Sequence, residues 1–322
     1  MGFVALVLTF VLEQLRPLPA RHAVAGVAEA IADGAERNLN AGRRRHGLLA
    51  WMVVVVGSAL ATAVVYAVAW QLSWVAAFAV NVAVLYVTIG FRQFSHPFTS
   101  IQQALNEGDL LAARRLLTQW RRDDDPAFDA TEMPVEEVVR LTMERGVLLA
   151  HRDVFGVFFW FVLLPGPAGP VLYRAAEYVA RRWNRPAAGG KPVDRFGDFA
   201  AQAFAWIDWV PARLTALGFA VVGDFEGAVY CWRQAARTAT PAAGLPAPDP
   251  RTLLLAATSG AIGTRLMTAP EAIRLFDEPG NEGAGLAEPD PRRLQSGVGL
   301  AWRAVILWLI MLLLLSLAGW LS

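Results

Sequence analysis

Residues 47–91 read GLLAWMVVVVGSALATAVVYAVAWQLSWVAAFAVNVAVLYVTIGF, which is 45 residues without one Asp, Glu, Lys or Arg. A single bilayer crossing needs about 20 apolar residues. The stretch is therefore expected to form two spans, 48–69 and 73–91, turning at Gln71-Leu72-Ser73. Trp70 and Trp74 flank that turn, where interfacial aromatics belong. A buried hairpin of a soluble protein rarely stays uncharged for so long.

The rest of the chain follows the same pattern. Of 322 residues, 55% are hydrophobic and 18% charged, against about a quarter charged in soluble domains. Residues 304–322 carry no charge and suit a further span, 301–321, entered at Arg303. Gly2–Leu12 is apolar but is followed by Glu13 and Arg16. It has no basic leader and a poor cleavage site, so an uncleaved span, 2–16, is expected. Glu13 would then lie at the headgroups or inside the bundle.

Two stretches are less regular. The first, 153–180, is interrupted by Pro165-Gly166-Pro167-Ala168-Gly169-Pro170. Neither half, Val154–Leu164 nor Tyr173–Val179, is long enough to cross. A re-entrant or surface hairpin is expected, with its irregular backbone covered by protein. The second, 206–222, holds Asp208, Pro211 and Arg213, costly for a lipid-facing span, and reads as membrane-associated. Segments 239–250 and 277–297 are rich in Pro, Gly and Ala and read as flexible loops. Residues 95–125 have helical apolar spacing broken by Asn106-Glu107-Gly108-Asp109, and Pro134-Val135-Glu136-Glu137 resembles a helix start. The fold class is an all-α polytopic membrane protein. It has about four transmembrane helices, the broken hairpin and helical connections, in one integral membrane domain over 1–322.

The arginines in 16–46 and 92–152 fall on one side of the 48–91 hairpin. The positive-inside rule makes that side cytoplasmic and places a multi-pass protein in a bacterial inner membrane. The expected partners are the lipid bilayer and a membrane or cytoplasmic protein. A net charge of +1 gives no reason to expect nucleic acid.

Chemistry is sparse. There is no phosphate loop, dinucleotide fingerprint, zinc-protease motif or nucleophile elbow. Four scattered histidines and one cysteine, Cys231, support no metal site. Asp123-Asp124-Asp125 reads as a solvated helix end before Pro126, although carboxylates there could hold Mg²⁺. Asp208 and Arg213, acid and base in an apolar frame, either pair internally or face a cavity. Asp153, at the mouth of the broken hairpin, is a candidate of the same kind.

Several segments, in order, resemble the CobD/CbiB superfamily, which includes adenosylcobinamide-phosphate synthases and AmpE-like proteins. They are Leu105–Arg115 with Gly108-Asp109-Leu110 and Ala113-Arg114; Arg122-Asp123; Asp153; LLPGPAGPVLYRA at 163–175; and DWVPARL at 208–214. The opening FVLEQLRPL, the DWVPARL form and Trp302-Arg303 are closer to the AmpE-like branch. The resemblance implies catalytic candidates Asp153, Asp208 and Arg213, and substrate-binding candidates Tyr173, Arg174, Arg122 and Asp123. Where the synthases carry polar residues, this chain has Leu149, Ala150, Val179-Ala180 and Phe204-Ala205. The expectation is therefore a non-catalytic sensor or regulator on the synthase scaffold. The alternatives are a divergent synthase, an amide-forming ligase of cobalamin biosynthesis, and a transport or scaffold protein. No cofactor is expected unless the synthase alternative holds; that would bring a nucleotide and Mg²⁺.

Overall fold

A computed structural model describes residues 2–16, 23–122, 125–185, 195–239, 244–268, 271 and 285–321. The described residues are helical, with one isolated bridge, Thr264 to Ala287, and no strand. The all-α polytopic fold class holds.

The uncharged stretch folds as two helices. α1 (Gly2–Leu15) and α2 (Ala23–Leu39) precede it. α3 (Arg44–Leu72) is a 29-residue apolar helix, and α4 (Trp74–Thr88) follows after Ser73 alone. Ser73 is extended, and its hydroxyl accepts a hydrogen bond from the Ala76 N–H at 3.0 Å. One residue thus ends one helix and caps the next. Glu13 is buried on α1.

α5 (Phe91–Asn106) and α6 (Leu110–Arg122) form the expected helical hairpin around Gly108. α7 (Val135–Leu163) is 29 residues long and contains a turn of π-helix at His151–Phe155. α8 (Ala168–Arg182), α9 (Asp198–Ile207), α10 (Trp209–Val222), α11 (Phe225–Thr238), α12 (Pro250–Ile262) and α13 (Pro291–Leu321) complete the described helices.

The spans differ from the sequence reading in three respects. Three helices are long and apolar enough to cross: α3, α7 and Pro291–Ala318 of α13. The stretches 48–69 and 301–321 lie wholly within α3 and α13. The stretches 2–16 and 73–91 form apolar helices of 14 and 15 residues, about 21–23 Å at 1.5 Å per residue, short of a hydrocarbon core of about 30 Å. α4 stops there because Ile89 is extended. α7 was not counted, because charges in its first half disguise its length; the structure pairs Glu137, Arg140 and Glu144 along that helix. The 206–222 stretch joins α9 and α10, bent by 45° at Asp208; as one broken span the pair would be a fourth crossing.

The two loop expectations divide similarly. Of 239–250, the described residues are irregular up to Asp249, whose carboxylate accepts the Thr252 N–H and starts α12 at Pro250. Residues 277–284 lie outside the described residues, and 285–290 are irregular. Residues 291–297 are helical instead of loop, because Asp290 accepts the Arg292 N–H and Pro291 suits a first turn.

The contacts sort the chain into two compact units. One comprises Met1–Gly90 and Asp153–Val210, the other Phe91–Arg152 and Pro211–Ser322. In the first unit, one core cluster gathers Ala32 of α2, Trp51 and Val55 of α3, Val179 of α8, Trp183, Phe196 and Ala200 of α9.

Candidate functional site

The proline-broken hairpin builds the site in the first unit. α7 ends at Leu163, Leu164 turns extended, and Gly166 takes φ +71°. A Cβ at Gly166 would also stand 2.8 Å from the Tyr66 ring, so conformation and close approach both call for glycine. α8 then returns alongside the last part of α7. Gly156 lets it in: a Cβ there would lie 2.3 Å from the Tyr173 ring.

Two polar pairs result, one buried and one half-buried. The fully buried Tyr173 donates its phenolic hydrogen to Asp208 Oδ1 at 2.8 Å. Asp208 sits at the bend between α9 and α10 and is itself buried. On the adjacent face of α8, Arg174 donates to the buried carboxylate of Asp153. Arg174 Nη1 also lies 4.0 Å from Glu177 Oε2, and Glu177 Oε1 is 3.3 Å from Arg181 Nε. Carboxylates and guanidiniums thus alternate along Asp153, Arg174, Glu177 and Arg181, neutral in sum. Such alternation offsets the desolvation that a lone buried charge would suffer.

Four of the seven candidate residues therefore come together as two pairs: Asp153 with Arg174, and Tyr173 with Asp208. Arg213 and Arg122 belong to the second unit; Arg122 is exposed at the end of α6. Asp123 lies outside the described residues. Glu177 and Arg181 were not singled out from the sequence. Their signal is the spacing 174, 177, 181, one face of a helix, within a segment that is otherwise largely apolar.

The second unit has its own polar network. Arg140 Nη2 lies 2.6 Å from Glu137 Oε1, and its Nη1 lies 2.9 Å from Glu144 Oε2. Arg251 joins Glu144 at 2.8 Å to Glu271 at 3.1 Å. Burial pushes the Glu271 carboxyl upward, but hydrogen bonds from Thr268 and Arg251 outweigh it and hold the group below the usual range. An open groove of about 350 Å³ runs beside this network, lined by Glu136, Glu137, Arg140, Arg265, Thr268 and Glu288.

Among the described residues, no group of three or more His, Cys, Asp or Glu is placed to hold a metal ion. Cys231 is buried, and burial followed by the charge of Asp224 pushes its thiol up to about 12, the reverse of an activated nucleophile.

Comparison with known proteins adds a second line of information. The family model described as CobD/Cbib protein matches residues 3–271. The chain is similar to the cobalamin biosynthesis protein CobD of Stutzerimonas stutzeri (strain A1501), with 31% identity over 301 residues, 90% of this chain and 89% of that protein. It is also similar to the cobalamin biosynthesis protein CobD of Chromobacterium violaceum, with 33% identity over 188 residues, 58% of this chain and 55% of that one. No solved structure matches it.

Proposed function

The chain belongs to the CobD/CbiB family, and from that premise we propose that it is a membrane protein of cobalamin biosynthesis, working at the amide-forming step that the family resemblance implies. The observation that carries this reading is the convergence of Asp153, Arg174, Tyr173 and Asp208. Tyr173 and Arg174 share one motif segment, and Asp208 and Asp153 reach them from two others as hydrogen-bonded pairs, the first buried and the second partly so. Arg174 and Arg181 keep 28% and 38% of their side chains exposed while carboxylates hold them from the protein side. Guanidiniums held in that way can take the oxygens of a carboxylate or phosphate. Tyr173 and Asp208 fix the position of α8 against the α9–α10 bend.

A regulator without ligase activity, on the same scaffold, becomes the second reading. It is favoured by Leu149, Ala150, Ala180 and Ala205, apolar where the resemblance implies polar groups. The relatives' names weigh for the first reading, because one of them aligns with nine-tenths of the chain.

Complementation separates the two. The intact chain is expressed in a cobalamin-synthesis mutant lacking the synthase, with its level in the membrane checked by immunoblot. Growth without added cobalamin is expected, and Arg174→Lys, which keeps a cation beside Asp153 but loses the planar guanidinium fork, should abolish it at an unchanged protein level. No growth with the protein present would reject the ligase reading in favour of the regulator.

A further inference from the structure

α2 has two apolar faces, and the fold uses only one. Its inner face carries Ala32, with Ala35 and Leu39 packed beside it, into the cluster with Val179 and Trp183. Trp183 Nε1 donates to the Ala32 carbonyl at 3.3 Å, and Arg182 Nε pairs with Asp33 at 2.9 Å. On another face Val24, Val27 and Ile31 stand 52%, 58% and 50% exposed. Their spacing of three and four makes one stripe. At ~100° per residue, Glu29, Asp33 and Glu36 fall on the opposite side.

The chain around α2 indicates what covers this stripe. α2 ends four residues before α3, the 29-residue apolar helix that starts at Arg44. Arg43, Arg44 and Arg45 are all exposed at that start. Arginines at the entry of a span sit at headgroup level. The Arg182–Asp33 pair and the Trp183 hydrogen bond fix the middle of α2 to the end of α8. The bond from Arg44 to Gln202 brings the start of α3 to α9 in the same cluster. The Arg43 carbonyl accepts the His46 and Gly47 N–H, but among the described residues the Arg43 and Arg45 guanidiniums have no hydrogen-bond or ion-pair partner, which leaves their charge for an external anion.

We propose that α2 lies in the membrane interface, with Val24, Val27 and Ile31 immersed in the outer acyl region and Arg43 and Arg45 holding the phosphates of anionic lipids. An amphipathic helix of this kind binds through its buried apolar area together with attraction to acidic headgroups. The proposal rests on α3 crossing the bilayer, so the test includes a reporter on α3.

The intact chain, in a Cys231→Ser background, is reconstituted in phosphatidylcholine vesicles with and without phosphatidylglycerol. Nitroxide labels are placed singly at Val27→Cys, Glu29→Cys and Val64→Cys. Collision with oxygen marks lipid, and collision with a water-soluble nickel chelate marks solvent. The Val27 label should favour oxygen, at a depth between Val64 and Glu29. Phosphatidylglycerol should deepen it, and Arg43→Gln with Arg45→Gln should cancel that deepening. A Val27 label as open to nickel as Glu29 overturns the proposal. So does efficient disulfide formation between copies through Val27→Cys, which would make a second copy the occupant. Absence of any response to phosphatidylglycerol overturns the headgroup half. A solvent-exposed Val64 label would instead overturn the reading of α3 and the proposal with it.

Discussion

Tyr173 and Gly156 fit each other as knob and hole. Any side chain at 156 must displace a fully buried ring, so Gly156→Ala should destabilise by roughly 1–3 kcal/mol, read as a lower unfolding temperature in detergent. Tyr173→Phe keeps the packing but removes the donor to buried Asp208. It should cost about 1–3 kcal/mol, and Asp208→Asn in the same background should recover part of the loss. Glu271 gives a pH signature. Its folded value lies below the ordinary carboxylate, so its contribution is present above the unfolded value and lost as pH falls through the folded one. Melting curves between neutral and acid pH should show that loss, reduced in Glu271→Gln. Cys231, with its thiol at about 12, should react with maleimide at neutral pH only once the protein is unfolded.

At the scale of elements, the sequence exposed composition and concealed pairing. The 47–91 stretch was legible because it carries no charge that needs a partner; even its turn is one residue wide at Ser73. α7 was not, since Glu137, Arg140 and Glu144 look forbidding one at a time although they pair along one helix face, and Asp153 is neutralised only by Arg174 from α8. The same holds for the site. Asp153, Tyr173, Arg174 and Asp208 were nameable by resemblance, but that they meet as two pairs depends on the Gly166 turn and the gap at Gly156. Glu177 and Arg181 needed the helix face, which hydropathy averages away. The Asp153–Arg174 pair ties α7 to α8. Arg174→Met alone strands a buried carboxylate, a change worth about 3–5 kcal/mol, whereas Asp153→Leu with Arg174→Met should regain most of it. Thermal unfolding of the two single variants and the double variant measures that coupling.

Across the whole molecule, sidedness follows from contacts inside the first unit. Arg182 and Trp183 bind Asp33 and Ala32 of α2, so the end of α8 returns to the face from which α3 sets out. A reporter inserted in 186–194 should therefore read the same side as one placed at 40–43, the side the positive-inside rule makes cytoplasmic; opposite signals would reject the return of α8. The turn of π-helix at His151–Phe155 has a different bearing. The division between the two compact units along α7, at Arg152 and Asp153, falls inside it. A π-turn carries one surplus residue, which throws the following helix out of phase by ~100°. Met143 and Gly146 before it, and Gly156 after it, are thereby released from a common heptad-like rhythm. A single-residue deletion within 151–155 would remove the surplus and keep both stretches of α7 on their present faces, whereas a deletion within 157–162 would turn the residues after it by ~100°.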